Sequence, residues 1–214
     1  MKRVIHCKHG HTREEHPNCF LSGDIISIKP DWFEHLKIGY LDIEADGLKP
    51  DWGTMLTWSI KPEGELFVMS DVITREDLFY GNRDKRIIQS MVRELSKYDV
   101  VVTYYGTGYD LPFVRAKALH YNLDFVDYGK IFHWDLYYTV KSKLHLSSNS
   151  LENVCDYLGI EGKTPLSKDV WRDAKYGDPT AIGKVLEHNK GDVIILENLA
   201  NKLLPFVKLT KRSV

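Results

Sequence analysis

The 214-residue sequence predicts a mixed α/β fold in which one β-sheet is flanked by helices. Three observations support this prediction. Strand patterns follow one another directly at the start of the main body, later strand patterns alternate with helical ones, and hydrophobic residues make up 43% of the chain. A meander followed by βα units places helices against a sheet, and a chain of this length can bury an ample core.

The first predicted elements form a meander. Residues 38–44 (IGYLDIE) mix β-branched and apolar side chains in the way that strands do. Residues 54–60 and 65–69 have similar compositions, and Pro62 and Gly64 lie between them. Because connections this short join antiparallel neighbours, we expect the first three strands to be antiparallel.

Helical and strand patterns then alternate. Apolar residues recur at helical spacing over 83–97. Residues 99–103 (DVVVT) form a continuous apolar run, which is typical of a buried central strand. The patterns next predict a helix over 111–120 and a short strand over 130–134. These units complete the predicted mixed sheet.

The last part of the body is predicted to be helical. Over 151–158 the apolar residues, Cys155 among them, share one helix face, so Cys155 is predicted to be a core residue. Asp178 followed by Pro179 is a typical helix start, and the pattern predicts a long helix to about Leu204.

Composition limits the class of protein. The chain has 29 basic and 30 acidic residues, a formal net charge of −1, which argues against coating nucleic acid through bulk positive charge. No apolar run is long enough for a transmembrane helix, so we expect no membrane association. The first residues lack the apolar core of a secretory signal. Three cysteines are too few for a disulfide framework, which favours a reducing, cytoplasmic location.

The amino-terminal segment differs in composition from the rest. We divide the chain into a Cys/His-rich segment with its connector at 1–37 and the α/β domain at 38–214. The segment carries five candidate zinc ligands: Cys7, His9, His11, His16 and Cys19. Both cysteines, His16 and one of the other two histidines would make a tetrahedral structural site. The alternative is a flexible tail whose histidines serve other contacts.

Acidic residues form the most informative pattern in the body. Asp42 and Glu44 lie two apart in a predicted strand, so both carboxylates project from the same face. Asp110 follows a second strand, and Asp192 lies on the last helix with His188 one turn before it. Carboxylates from three elements can converge on two Mg²⁺ or Mn²⁺ ions, which clamp a phosphodiester. Taken singly, each residue also fits a solvated face, a helix cap or a surface pair.

The surroundings of these residues carry a family resemblance. The stretches YLDIEADGL at 40–48, VVTYYGTGYDLPFV at 101–114 and HNKGDV at 188–193 resemble the three exonuclease motifs of the DEDD superfamily of RNase H-like 3′–5′ exonucleases. SLENVCDYLGI at 150–160 resembles the helix that precedes the last motif. The nearest branch is DnaQ-like or YprB-like, and the resemblance spans 38–204.

This resemblance implies an RNase H-like fold and a metal-dependent exonuclease. Such an enzyme attacks the terminal phosphodiester of DNA or RNA with water and releases nucleoside monophosphates. By the resemblance, Asp42, Glu44, Asp110 and Asp192 would hold two divalent cations, Mg²⁺ or Mn²⁺. His188 would be the general base that takes a proton from the attacking water.

Two positions depart from the family pattern. The family has a tyrosine version spaced Y-x3-D and a histidine version spaced H-x4-D, whereas here His188 has three residues between it and the aspartate. Tyr105 stands near the position where the second motif often carries asparagine. We predict that Tyr105 and Thr107 contact the substrate and that Lys143 meets its phosphate backbone. Asp135, at the end of a predicted strand, either flanks the substrate groove or caps the next helix.

The sequence also allows two functions other than an exonuclease. One is an RNase H-like module that binds nucleic acid or a polymerase but cuts poorly. Another is a structure-specific endonuclease. The expected partners are single-stranded nucleic acid or a 3′ end and, as a further candidate, a replication or repair protein. The sequence does not distinguish DNA from RNA, because that choice depends on contacts to the 2′-hydroxyl.

Overall fold

A computed structural model describes residues 36–162 and 165–207 of the chain. Its strands, in chain order, are β1 Ile38–Ala45, β2 Met55–Pro62, β3 Met69–Val72, β4 Val100–Thr103 and β5 Phe132–Asp135. Its helices are α1 Arg75–Tyr80, α2 Lys85–Leu95, α3 Asp110–His120, α4 Leu136–Lys143, α5 Leu151–Leu158, α6 Lys168–Lys175 and α7 Pro179–Leu203. A 3₁₀ turn, Leu204–Phe206, follows α7.

The five strands form one mixed sheet in the order β3-β2-β1-β4-β5. β2 pairs antiparallel with both β1 and β3. β4 pairs parallel with both β1 and β5. The predicted mixed α/β sheet with an antiparallel meander is confirmed, and β1 lies at its centre.

In the first half of the body one predicted strand was wrongly placed and one helix was not predicted. The third strand was expected at 65–69 but runs from Met69 to Val72. Residues 63–68 instead form a loop, which Glu197 of α7 holds by accepting the backbone N–H of Gly64 at 2.7 Å. The short helix α1 was not predicted, because no apolar period marks it. Its start is fixed by a reciprocal capping box between Thr74 and Asp77.

Each face of the sheet has its own core. Leu41 and Ile43 of β1 pack on one face with α2 and α3. Ile38 and Tyr40, which alternate with them, pack on the other face with α4, α5 and the second half of α7. Burying a side chain of this size contributes about 1.5–3 kcal/mol. Strand alternation therefore determines which β1 residues face α7.

The long helix α7 crosses the sheet and was predicted correctly. Asp178 caps it by accepting the backbone N–H of Ala181 at 2.7 Å, and Pro179 occupies its first turn. The helix packs against β1 and β2. In the described part of the chain, no helix has the length and apolar character needed to cross a membrane.

Candidate metal centre

The central strand β1 carries the first two acidic residues. Asp42 and Glu44 continue the alternation of Tyr40 and therefore project toward α7. In the sheet they lie opposite Ser59 and Thr57 of β2. The prediction that both carboxylates share one face is confirmed.

Asp110 reaches the same place from the start of α3. Its side chain is buried, with 2% exposure, and its Oδ1 accepts the backbone N–H of Ile43 at 3.1 Å. That bond joins Asp110 to the backbone of Ile43, the residue between Asp42 and Glu44. Burial raises the pKa of Asp110 to about 7, although hydrogen bonds from its own N–H and from Ile43 oppose the rise.

Helix α7 supplies the remaining two residues. His188 Nε2 lies 3.5 Å from Glu44 Oε1 and 3.8 Å from Asp192 Oδ2. One ligand atom from each of these three residues lies within 4.8 Å of the others. Within the described residues, no group hydrogen-bonds the buried Nδ1 of His188, so no such bond fixes its tautomer.

Asp42 interacts electrostatically with the other three carboxylates. The pKa of Asp42 is raised well above its usual value, first by burial and then by repulsion from Glu44, Asp110 and Asp192. A hydrogen bond from Asn189 opposes this rise. Four crowded carboxylates with oxygen donors are a set that Mg²⁺ or Mn²⁺ can neutralise, so the residues present fit a divalent cation site.

The raised pKa values of Asp42 and Asp110 predict that the stability of the folded protein depends on pH. A carboxyl whose pKa rises on folding binds a proton more tightly in the folded chain, so the ion-free protein loses stability as pH rises through that range. For Asp110 the range runs from 3.8 to about 7. A divalent cation that binds only the folded site competes with the proton and restores stability. We therefore expect Mn²⁺ to raise the thermal unfolding midpoint more at pH 7 than at pH 5.

Thermal scans at both pH values, in EDTA and in Mn²⁺, would measure this effect. The matched control is Asp110→Asn, in which the loss of stability between pH 5 and pH 7 in EDTA should be smaller. An Mn²⁺ effect that is equal at both pH values in the wild type would contradict the prediction.

The loop that leads into α3 is organised by Asp135. The backbone N–H groups of Tyr105 and Thr107 donate to its two carboxylate oxygens at 2.8 and 2.9 Å. Asp135 also caps α4 by accepting the N–H of Tyr137. Tyr105 has a φ of +66°, in the left-handed region that non-glycine residues rarely adopt. Its exposed ring lies 4.9 Å from that of Tyr137.

The other predicted site residues lie elsewhere. Lys143 is exposed at the end of α4, about 12 Å along the helix axis from Asp135. The predicted zinc set falls within residues 1–35, outside the described residues, and stays a prediction. Cys155 is buried in the core, as predicted.

Asn189, which was not predicted as a site residue, is fully buried and hydrogen-bonds Asp42. Its Nδ2 donates to Asp42 Oδ2 at 2.6 Å. It occupies a helix position between the buried Val185 and Val193, where an apolar residue would be expected. A polar residue interrupting that apolar stripe was the available signal.

A groove of about 460 Å³ opens beside this cluster. It is lined by residues 45–48, which follow β1, and by Trp171, Arg172, Lys175 and Tyr176 from α6 and its end. The Trp171 ring packs edge-on against His188, with 6.2 Å between ring centroids. The groove has the size and aromatic lining to receive a nucleobase.

The sequence is similar to one protein family and to DNA polymerases. A family model of the RNase H superfamily matches residues 39–204. The chain is similar to a DNA polymerase of Archaeoglobus fulgidus, at 26% identity over 167 residues, covering 68% of this chain and 21% of that protein. It is also similar to a DNA polymerase of Methanocaldococcus jannaschii, at 29% identity over 148 residues, covering 56% of this chain and 9% of that protein.

Among solved structures, the fold is similar to that of a family B DNA polymerase from the hyperthermophilic archaeon Pyrobaculum calidifontis. The TM-score is 0.62 and the identity 20%, with 80% of this chain and 25% of that chain covered. The chain thus spans a quarter or less of the length of each of these polymerases.

Proposed function

The chain belongs to the RNase H superfamily, and from that premise we propose that it is a metal-dependent 3′–5′ exonuclease of the DEDD type. It hydrolyses the terminal phosphodiester of DNA or RNA and releases nucleoside monophosphates. The observation that carries the proposal is the geometry of the acidic cluster: ligand atoms of Glu44, His188 and Asp192 lie within 4.8 Å of one another, and Asp42 projects from the same face of β1 as Glu44. Similarity to DNA polymerases supports nucleic acid as the substrate.

In this proposal the four carboxylates hold two divalent cations. Bound there, the cations supply a nucleophilic water at neutral pH and stabilise the charge that develops on the phosphate. His188 directs Nε2 toward Glu44 and Asp192. It takes the proton of the attacking water at Nε2, and the two carboxylates stabilise the imidazolium that forms. The same geometry also fits His188 as a ligand of one cation.

The substrate lies across the loop that Asp135 holds. Tyr105 presents an exposed ring beside the start of α3, where a base can stack on it, and Thr107 offers a hydroxyl in the same loop. The groove beside Trp171 accepts a base on the other side of His188. Lys143 contacts phosphates farther along the strand.

The test is a cleavage assay on 5′-labelled single-stranded DNA and RNA in Mg²⁺ or Mn²⁺, with EDTA and a circular strand as controls. We expect a ladder that shortens from the 3′ end, no cleavage in EDTA and no cleavage of the circle. Cutting of the circle would assign an endonuclease instead. Tight binding without cleavage in either metal would assign a nucleic-acid-binding module.

A further inference from the structure

A buried hydrogen-bonded chain connects β2 to the acidic cluster through α7. Thr57 Oγ1 of β2 donates to Asn189 Oδ1 at 3.3 Å, and Asn189 Nδ2 donates to Asp42 Oδ2 at 2.6 Å. Thr57 shares its single proton between Asn189 and the backbone carbonyl of Asp71, which lies 3.0 Å away. Both Thr57 and Asn189 have 0% exposure. Water therefore does not compete for these groups.

The chain gives the Asn189 amide a defined orientation. Its carbonyl oxygen faces a hydroxyl donor and its NH₂ group faces a carboxylate. A rotated amide would place two acceptors, its own oxygen and that of Asp42, against each other. The bond is short, at 2.6 Å, and it is charge-assisted and stronger whenever Asp42 is ionised, as it would be with a cation bound.

We propose that Asn189 is a positioning residue, which fixes the Asp42 carboxylate so that Oδ2 is held by the amide and Oδ1 is presented to a divalent cation. Thr57 acts one step farther away by fixing the amide. This inference rests on the cation site of the proposed function. Groups that orient a metal ligand typically change metal affinity or activity by about 10–100-fold when they are removed.

The position of Asn189 suits this role. It lies between His188 and Asp192 in sequence, but its side chain contacts Asp42 and Thr57, whereas His188 lies near Glu44 and Asp192. This stretch of α7 thus supplies two residues of the proposed cation site, His188 and Asp192, and one residue, Asn189, that hydrogen-bonds a third. Asn189→Leu keeps the branched heavy-atom skeleton of asparagine, although leucine is larger, and removes both the donor and the acceptor.

The experiment is a titration of the whole protein with Mn²⁺, followed by electron paramagnetic resonance and without nucleic acid. We expect Asn189→Leu to weaken Mn²⁺ binding about 10–100-fold. The matched control is Asn198→Leu, an exposed asparagine on the same helix, which should bind as the wild type does. Cleavage by Asn189→Leu should recover in part at high Mn²⁺, because the ligand is still present but poorly oriented.

A second pair of variants covers the case in which Asn189→Leu does not fold. Thr57→Val removes the hydroxyl that orients the amide, whereas Thr57→Ser keeps it. We expect Thr57→Val to weaken Mn²⁺ binding severalfold and Thr57→Ser to retain wild-type binding. Loss of thermal stability without a change in Mn²⁺ affinity would show a purely structural role and overturn the inference.

The outcomes separate this inference from the proposed function. Wild-type protein that binds Mn²⁺ but does not cut would refute the exonuclease, while the positioning role still stands on the affinities. Cleavage and Mn²⁺ binding that are both indifferent to Asn189 would support the exonuclease and overturn the inference. A wild type that binds no Mn²⁺ overturns the inference, because there is then no cation to position.

Discussion

Replacing Asp42 by asparagine is expected to abolish cleavage and, at the same time, to stabilise the ion-free protein. The variant neutralises one of the four carboxylates that we propose as cation ligands, and Asp42 interacts electrostatically with the other three. Loss of about 4 kcal/mol of transition-state stabilisation, within the several kcal/mol that a bound metal supplies, lowers the rate about 10³-fold. The asparagine keeps the shape of the side chain and still accepts from Asn189 through its carbonyl oxygen.

The gain in stability has a separate cause. In the ion-free protein Asp42 is half-buried near three other carboxylates, and desolvation and repulsion together raise its pKa. Folding is therefore less favourable when Asp42 is charged, and a neutral residue removes this cost in folding free energy. We expect the unfolding midpoint of Asp42→Asn in EDTA to exceed that of the wild type, with the difference growing as pH rises from 5 to 7.

The measurement pairs the cleavage rate with thermal unfolding in EDTA. Asp156→Asn, at an exposed position of α5, is the matched control and should change neither. A variant that lost activity because it was misfolded would have a lower midpoint, so opposite signs in the two measurements separate chemistry from folding. Cleavage within tenfold of the wild type would remove Asp42 from the proposed site.

The acidic residues could be predicted because strand geometry is local. Asp42 and Glu44 lie two apart, and alternation alone places them on one face whatever packs there. Asp110 is different, since its approach to Ile43 depends on how α3 follows β4 in space. Its position after a strand made convergence with the others possible, and the family resemblance favoured it over a simple helix cap.

What the sequence did not reveal depends on long-range contacts. Asn189 meets Asp42 across 147 positions. The interrupted apolar stripe marks Asn189 as unusual, but no local pattern indicates that its partner is Asp42. The shifted strand β3 has a similar explanation. Leu66 and Phe67 satisfy a strand pattern, but the loop is held by Glu197 from α7 and both side chains are exposed.

Asp84 is where we expect the largest loss of stability. It is fully buried at the start of α2, and its carboxylate contacts three donor groups, one from β2 and two from α3 and its end. The donors are the backbone N–H of Met55 at 2.8 Å, the Tyr121 hydroxyl at 2.6 Å and Lys117 Nζ at 3.0 Å. One carboxylate thus joins β2, α2 and the end of α3.

Removing this carboxylate leaves a buried cation. Lys117 has 9% side-chain exposure, so in Asp84→Asn its ammonium group would lose its counter-charge with little water to replace it. Breaking a buried pair from one side costs about 3–5 kcal/mol. Lys117→Met alone leaves the opposite charge of Asp84 unpaired, although Met55 and Tyr121 still hydrogen-bond it. We therefore expect a smaller loss for Lys117→Met.

The double variant Asp84→Asn/Lys117→Met should be more stable than Asp84→Asn, because no charge is left without a partner. Urea unfolding of the wild type, both single variants and the double variant gives the coupling energy from a double-mutant cycle. A coupling near zero would mean that the Met55 and Tyr121 bonds alone account for the role of Asp84. A favourable coupling would establish that the ion pair itself stabilises the junction of α2 and α3 on this face of the sheet, independently of the acidic cluster on the other face.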